Sequence, residues 1–262
     1  RHPQVLEYEK TFDPFILLSK KRYVGNLYEV DPDKFKRKSM GIVLKRRDNA
    51  PIVKIVYGGI IDLIMGGKPI KDVVTWTRKM LREFIQGKYP IDTLIISKTL
   101  SSYYKEPDRI AHKVLADRMA ERDPGNKPQV NDRIPFIYID VSGTKAANSK
   151  LQGDKIEHPE YITQNKLKPD YEHYITNQIM KPVSQIFGLC LEDISGFSKD
   201  IQEFDSIYDK QLASGKTINE SIKKMQEAKS KEAGEIVFRD VLRILNNRKM
   251  RTREITDFFR QT

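Results

Sequence analysis

The spacing of apolar residues changes near Pro51, and this change restricts the chain to a mixed fold. Residues 4–9 and 14–30 are rich in aromatic and β-branched residues that partly alternate with polar ones, which is typical of strands. Asp-Pro sequences at 13–14 and 31–33 predict turns between and after these segments. From Pro51 onward, apolar residues recur every three or four positions, as on one face of a helix. The sequence therefore predicts an α+β fold with a sheet at its amino-terminal end.

Three helices are expected after the predicted sheet. One runs from Asp72 to Gly87, where glycine can adopt the left-handed conformation that caps a helix. The next begins at Pro107 and ends at Asp123. The third covers residues 169–187, and Pro182 is expected to kink it or split it in two.

The remaining segments have weaker patterns. Residues 132–141 are expected to form a strand, with Pro135 at a sheet edge. The glycine pairs at 58–59 and 66–67 are interpreted as turns or hinges. Beyond Ser195 the chain is rich in Lys, Glu, Ser and Gln, which predicts a loosely attached, polar helical tail.

The charge balance indicates a polyanionic partner. The chain contains 47 lysines and arginines against 36 acidic residues, a net charge of +11, and its first 60 residues contain 13 against 7. Such an excess attracts nucleic acid or acidic lipid. No apolar run approaches the about 20 residues of a membrane-spanning helix, so we expect a soluble, intracellular protein without a membrane partner. Because the chain lacks an initiator Met, we expect it to be a piece of a longer protein.

Two cationic clusters stand out. "SKKRYVGNLY" places Lys20, Lys21, Arg22 and Tyr23 at the end of a predicted strand, and "GIVLKRRDNAP" follows later in the chain. Charged strand ends often only prevent aggregation between sheets, and an arginine beside an aspartate often forms a local ion pair. The alternative is a grip on a nucleic-acid duplex, in which lysine meets phosphate or groove acceptors and tyrosine packs against sugar. Both clusters on one surface would form a track.

Residues for catalysis are sparse. The single cysteine, Cys190, excludes an intramolecular disulfide and a cysteine-rich zinc site, and its apolar neighbours favour the core over a nucleophilic role. The four histidines are too scattered to suggest a metal site; they are His2, His112, His158 and His173. We therefore expect no catalytic residue and no metal site in this chain.

Five segments, taken in order, resemble the C-terminal palm and thumb of family B DNA polymerases. They are "HPQVLEYEKTFDPFILLSKKRYVGNLYE", "GIVLKRRDNAP", "TLIISKTLSSYY", "AHKVLADRMAERDPGNKPQVNDRIPFIYI" and "HPEYITQNKLKPDYEHYITNQIMKPVSQIFG". The chain is most similar to the eukaryotic delta type and its relatives in large DNA viruses. The resemblance covers about residues 1–190 and implies the end of the palm at 1–45, the thumb at 46–190 and a C-terminal tail at 191–262.

The resemblance also implies which residues contact DNA. Lys20, Lys21, Arg22 and Tyr23 match the family's Lys-Lys-x-Tyr element, which follows the minor groove of the primer–template duplex. Minor-groove acceptors are nearly the same for every correct base pair, so a lysine there senses pairing geometry without reading sequence. The further implied contacts are Arg46, Arg47, Asp48, Lys98, His112 and Arg122. Arg118 and Arg133 match neighbouring thumb positions, and some of these residues are expected only to hold the thumb together.

The family's catalytic parts have no match in this chain. Its metal-binding aspartates, finger-helix lysine and exonuclease carboxylates belong to segments that would precede Arg1. The resemblance therefore implies that this chain alone is inactive, and that Mg²⁺ binds only in the complete polymerase. The expected partner is an upstream segment or companion chain that carries the exonuclease, the fingers and the catalytic palm. The expected location is the nucleus or a cytoplasmic viral replication site.

The last residues contain a pattern of their own, "RTREITDFFRQT". Ile255, Phe258 and Phe259 have the spacing of peptides that dock on a sliding clamp, with Thr252 in place of the usual glutamine. The alternative is a terminal amphipathic helix that packs Ile255 and Phe259 on its own thumb. The polymerase context favours the clamp.

The predicted function is the primer–template duplex-binding portion of a replicative DNA-directed DNA polymerase, which supports nucleotide addition when the catalytic segments are present. The alternative is a stand-alone module that binds nucleic acid and a sliding clamp and has no polymerase activity.

Overall fold

Three antiparallel strands open the chain in the computed structural model, which describes residues 7–142 and 144–250. The strands and helices in chain order are β1 (Thr11–Ser19), β2 (Arg22–Tyr28), β3 (Lys36–Met40), α1 (Pro51–Met65), α2 (Ile70–Ile85), β4 (Ile96–Thr99), α3 (Ala111–Arg122), β5 (Arg133–Tyr138), β6 (Ile156–Glu157), α4 (Pro159–Gln164), α5 (Tyr171–His173), α6 (Met180–Phe187), α7 (Gln202–Ala213) and α8 (Ile218–Lys249). A π-helical segment, Tyr174–Ile179, joins α5 to α6. Small sheets combined with a helical body confirm the predicted α+β class.

The first sheet has the order β1-β2-β3; the turn expected at 31–33 follows β2 as predicted, whereas the turn expected at 13–14 is absent. β1 and β2 are joined by a two-residue turn at Lys20-Lys21, and Ser19 pairs with Arg22. The Asp-Pro pair at 13–14 lies inside β1, where the pairing shifts between Phe12 and Phe15, so the predicted turn there is wrong. A bulge lets the strand continue past a residue that cannot donate a hydrogen bond to the sheet.

The two faces of this sheet have different surroundings. Leu18 and Val24 point towards the helices and belong to the main hydrophobic core. We call this side the inner face. Side chains alternate along a strand, so the immediate neighbours of Leu18 in β1 and of Val24 in β2, such as Leu17 and Tyr23, point to the opposite side of the sheet. We call that side the outer face. Leu17 on that side has 55% of its surface exposed.

Helix α1 passes through the centre of the core. Ile52, Val56 and Ile60 are fully buried, and the glycines at 58–59 lie inside the helix, so their interpretation as a turn or hinge is wrong. A β-carbon at Gly59 would clash with the indole ring of Trp76 in α2, so glycine is needed there for close packing. None of the helices in the described part of the chain is long and apolar enough to cross a membrane.

Helix α2 agrees closely with its predicted span. It covers Ile70–Ile85 and buries the expected face, including Val73, Leu81 and Phe84. Gly87 follows with φ 74°, the left-handed conformation predicted at this end. The glycine pair at 66–67 forms the turn before α2, also as predicted.

The second sheet has the order β4-β5-β6, so the strand that contains Pro135 lies in the middle rather than at an edge. Pro135 is opposite Ser97 of β4. On the other side, the two-residue strand β6 pairs only with Ile137 and Tyr138. Pro135 is tolerated because the short strand β6 does not extend to its position.

The helix expected over residues 169–187 changes type but does not break at Pro182. The chain is π-helical over Tyr174–Ile179 and α-helical from Met180 to Phe187. Pro182 therefore lies inside a continuous helix, shortly after the π-helical segment in which the hydrogen-bond pattern has already changed. Tyr174 attaches this helix to the second sheet, since its hydroxyl donates to the Leu94 carbonyl at 2.7 Å and accepts from the Tyr138 N–H at 3.1 Å.

The region expected to be a loosely attached tail is instead packed on the core. Helix α8 contacts α2, α6 and α7. Its buried side chains lie mostly in its second half and include Phe238 and Val241. Arg78 of α2 donates to the Ile236 carbonyl at 2.9 Å, and Arg248 of α8 donates to the Ile85 carbonyl at 2.8 Å. The pattern looked weak because the first half of this long helix is mainly exposed and polar.

Candidate nucleic-acid interface

Lys20 and Lys21 form the tip of the β1–β2 hairpin and are both exposed. Lys21 has φ 62°, a left-handed conformation that a tight hairpin turn demands. A β-carbon at Gly41 would clash with the Lys21 carbonyl oxygen, so residue 41 must be small for the chain after β3 to pack against the turn. The sequence had suggested that the two lysines lie on a strand. They lie instead in a turn against which Gly41 packs.

Arg22 and Tyr23 leave this turn towards opposite faces of the sheet. The guanidinium of Arg22 donates to Oε1 of Gln185 in α6 at 2.9 Å, on the inner face. Tyr23 lies on the outer face, where its ring is 5.9 Å from Phe12 and 5.5 Å from Phe15. Arg22 thus connects the hairpin to the helical body, while both lysines and the tyrosine remain accessible.

Most of the later predicted contacts come together in one shallow groove of about 330 Å³. Arg47 and Asp48 enter it from the segment before α1, Lys98 from β4, and His112 from α3. The remaining lining residues are Ser97, Thr99, Ser101, Tyr104 and Arg133. The fold therefore unites residues that are far apart in sequence.

Some charges of this groove are already paired. Arg46 forms two hydrogen bonds with Asp48, at 3.1 and 2.8 Å, and this contact lowers the pKa of the Asp48 carboxyl. Arg133 donates to the Ser97 hydroxyl at 2.7 Å and to the Ser97 carbonyl at 2.9 Å. Within the described ranges, the side chains of Arg47 and Lys98 are exposed and make no hydrogen bond or ion pair. These two are the cations available to a ligand in the groove.

His112 is held in place as a neutral side chain. Its Nε2 lies 3.1 Å from the Tyr104 hydroxyl, which accepts a hydrogen bond from the Ser101 N–H at 2.7 Å. Burial and the nearby charge of Lys98 lower the pKa of His112, against a hydrogen bond with the Thr99 backbone. A hydroxyl that already accepts from Ser101 can donate to a neutral imidazole. His112 therefore shapes the groove and adds no charge at neutral pH.

Arg122 lies outside this groove. Its guanidinium forms two hydrogen bonds with Glu157, at 3.1 and 2.9 Å, and stacks 3.8 Å above the Tyr161 ring. Arg118 donates to the Ile156 carbonyl at 2.6 Å in the same region. These contacts attach α3 to β6 and α4. The DNA contact of Arg122 stays a prediction. In the structure, its guanidinium contacts Glu157 and Tyr161.

The hairpin turn and the groove are close along the chain. Gly41 packs against the turn, Arg47 lines the groove, and a 3₁₀ turn, Val43–Lys45, lies between them. The six steps from residue 41 to residue 47 can span no more than about 20 Å. Ten base pairs of duplex measure about 34 Å. One short duplex is therefore long enough to reach both sites.

The strand β3 was not predicted, and it adds exposed cations that were missed. Its sequence is KRKSM, and Lys36 and Lys38 are exposed. Three consecutive charges hide the apolar alternation by which strands are usually found. The signal that was present is the charge itself, since lysines are common on edge strands.

The described residues do not fit a catalytic metal. They contain no group of three or more His, Cys, Asp or Glu side chains that could hold an ion. No reaction step is therefore derived through Mg²⁺ for this part of the chain. The predicted clamp-binding residues Thr252, Ile255, Phe258 and Phe259 lie outside the described residues.

The structure defines a basic α+β protein with free cations on a hairpin and in a groove, which is the kind of surface that binds polyanions. The chain belongs to DNA polymerase family B, whose family model matches residues 1–190. This match confirms the resemblance seen in the sequence.

Individual relatives agree with this assignment. The chain is 51% identical to a DNA polymerase of Pyramimonas orientalis virus, over 99% of the chain and 21% of that protein. It is 35% identical to the DNA polymerase delta catalytic subunit of Caenorhabditis elegans, over 73% of the chain and 17% of that protein. The chain thus spans about a fifth of the length of the curated relatives it matches.

A solved structure supports the fold. The family B DNA polymerase of the archaeon Pyrobaculum calidifontis matches 71% of this chain with a TM-score of 0.50, and the chain covers 22% of that structure. The two sequences are 20% identical over the match, so the likeness concerns the fold.

Proposed function

We propose that this chain is the primer–template duplex-binding part of a replicative DNA-directed DNA polymerase. Residues 1–45 would end the palm, residues 46–190 would form the thumb, and residues 191–262 would follow as a C-terminal region. The observation that carries the proposal is the arrangement of free cations at the hairpin turn and in the groove, within reach of one duplex, in a family B polymerase chain.

Each accessible side chain has a distinct part in the proposed contact. Lys20 and Lys21 bring charge to the minor groove and its phosphates, while the Tyr23 ring packs against sugar. Arg47 and Lys98 bind backbone phosphates. Because phosphates and minor-groove acceptors vary little with sequence, the grip is blind to sequence and strongly dependent on salt.

The paired residues position the ones that bind. Arg46 neutralises Asp48, which would otherwise repel phosphate at the rim of the groove. Arg22 fixes the hairpin to α6 through Gln185. Neutral His112, held by Tyr104, keeps the groove open beside Lys98.

The chemistry of nucleotide addition is assigned to other segments. We infer that an upstream segment or a companion chain supplies the catalytic aspartates, the fingers, the exonuclease and the Mg²⁺ site. The viral and eukaryotic relatives favour the nucleus or a viral replication site as the place of action. Docking on a sliding clamp through Ile255, Phe258 and Phe259 rests on their sequence spacing alone.

The double variant Lys20→Ala/Lys21→Ala tests this function. Binding of a 30-base-pair primer–template duplex to the full chain is measured by fluorescence anisotropy from 50 to 300 mM salt. Each lost phosphate contact lowers the slope of log affinity against log salt by about 0.9, so the slope falls by about 1.8. The melting temperature stays within about 2 °C, because neither lysine has a protein partner among the described residues. An unchanged slope contradicts the proposal.

A further inference from the structure

The outer face of the first sheet presents side chains that neither cationic motif includes. In the pairing of β2 with β3, Tyr23 is opposite Met40, Gly25 is opposite Lys38 and Leu27 is opposite Lys36. Directly opposite residues point to the same face of an antiparallel sheet. Lys36 and Lys38 therefore lie on the same face as Tyr23.

The third cation of β3 points the other way. Arg37 is opposite Asn26, donates to its side-chain oxygen at 3.2 Å, and forms an ion pair with Asp62 of α1. Lys36 and Lys38 make no ion pair or side-chain hydrogen bond with the rest of the described chain. In the run Lys-Arg-Lys, the arginine is therefore paired within the protein on the opposite face, and the two lysines are left on the outer face.

The outer face combines these charges with accessible apolar surface. Phe15 has 44% of its surface exposed and Met40 has 45%. The rings of Phe12 and Phe15 cover Gly25, where a β-carbon would lie only 2.8 and 2.9 Å from them. The result is an aromatic centre with lysines along the β3 edge and at the hairpin turn.

The spacing of the two lysines suits a nucleic-acid strand. Residues two apart in a strand are separated by about 6.8 Å, and successive bases of one DNA strand rise about 3.4 Å. Because the DNA backbone also winds around the helix axis, neighbouring phosphates of one strand are farther apart than this rise, and two ammonium groups at the strand interval can reach neighbouring phosphates. Opposite charge and a cationic edge beside the Lys20-Lys21 turn favour the same duplex as the occupant of this face.

We propose that Lys36 and Lys38 form a second row of phosphate contacts, which extends the grip of the hairpin across the outer face of the sheet. This inference rests on the proposed function and adds residues outside the Lys-Lys-x-Tyr and Arg-Arg-Asp motifs. In this arrangement, Tyr23 packs against a sugar of the duplex, and the β3 edge lies along the backbone of one DNA strand.

The test compares three double variants of the full chain in the same salt series with the same 30-base-pair duplex. They are Lys36→Ala/Lys38→Ala, Lys20→Ala/Lys21→Ala, and the control Lys223→Ala/Lys224→Ala, which removes equal charge from the exposed start of α8, where both lysines pair with Glu227. We expect the β3 variant to lower the salt slope by about 1.8 and to weaken binding at 0.1 M salt by roughly 10- to 60-fold. The α8 control leaves the slope within about 0.3 of wild type.

A fourth variant, Arg37→Ala, separates binding from folding. It removes the contacts of Arg37 with buried Asn26 and with Asp62, so the melting temperature falls while the salt slope stays close to wild type. A reduced slope for the hairpin variant with a wild-type slope for the β3 variant overturns this inference and leaves the proposed function intact. Wild-type slopes for both overturn the two together. Equal losses in the β3 and α8 variants also overturn it, because net charge alone would then explain the effect.

Discussion

At the hairpin turn, Lys20 and Lys21 project from the end of a sheet with no partner among the described residues, whereas Arg118 and Arg122 in the helical body share Glu157, whose side chain is 7% exposed. Both regions are rich in cations. The first keeps its charge available, and the second uses it to join α3 to β6. A basic segment therefore offers its charge to a ligand only where the fold leaves the cations unpaired. The groove lies between these extremes, since Arg46 is paired and Arg47 has no partner within residues 7–142 and 144–250.

The largest expected effect that would test this comparison comes from Arg122→Ala. The change removes one partner of the buried Glu157 carboxylate and costs about 3 kcal/mol, at the lower end of the usual range because the Arg122 side chain is 38% exposed and Arg118 remains 3.5 Å from Glu157. Urea unfolding measures the loss, and the salt slope of duplex binding is expected to stay unchanged. A reduced slope with little loss of stability would show that Arg122 binds DNA and would break the comparison.

A second effect concerns His173, which the helical body holds without charge. Its ring stacks on Tyr138 at 3.5 Å, and burial lowers the pKa of His173 to about 4, below about 6.5 in the unfolded chain. The unfolded chain therefore takes up a proton first as the pH falls. This contribution to stability is full above pH 6.5, decreases between pH 6.5 and 4, and is constant below pH 4.

Because His173 is partly exposed, we expect it to account for about 2 kcal/mol of that decrease. Urea unfolding at pH 7, 5.5 and 4 measures the effect, and His173→Gln serves as the control that lacks the titrating group. The difference between wild type and variant should diminish as the pH falls. A difference that is constant with pH would show that the pKa of His173 is the same in the folded and the unfolded chain.

A smaller loss is expected for Arg46→Ala, which tests the role of the paired cation in the groove. Arg46→Ala removes an exposed pair and costs less than about 1 kcal/mol of stability. It also leaves the Asp48 carboxylate unpaired beside Arg47 and Lys98, so duplex affinity at low salt falls by a few-fold. The matched variant Arg46→Ala/Asp48→Asn should recover most of that affinity. Failure of this recovery would mean that Arg46 itself contacts the duplex.

The helices with a regular apolar face were predictable from the sequence. The residues Val73, Leu81 and Phe84 recur at helical spacing, and a glycine in the left-handed conformation follows their helix. The family assignment was also accessible, because ordered sequence blocks identify a lineage without any knowledge of packing. The groove residues Arg47, Lys98 and His112 were named on that ground.

Pairing was the part that sequence could not supply. Whether Arg22 meets a ligand or Gln185, 163 positions away, depends on tertiary structure. The same holds for α8, whose apolar side chains are few per turn. This helix packs closely because small residues meet at the contact: Ser184 of α6 lies against Gly234, and Gly188 after α6 lies against Ser230. The strand β3 was not predicted because its sequence has little intrinsic preference for a sheet. Pairing with β2 compensates for this in the fold.

The docking of α8 has a practical consequence for anyone who handles shorter versions of this chain. The family match ends at residue 190, yet Phe238 and Val241 cover the apolar sides of helices that lie before that point. Truncating the chain at residue 190 would remove α8 and expose an apolar surface on α2 and α6. Such a fragment should precipitate or associate with itself. The region that the family model matches and the region that packs around one core therefore end at different residues.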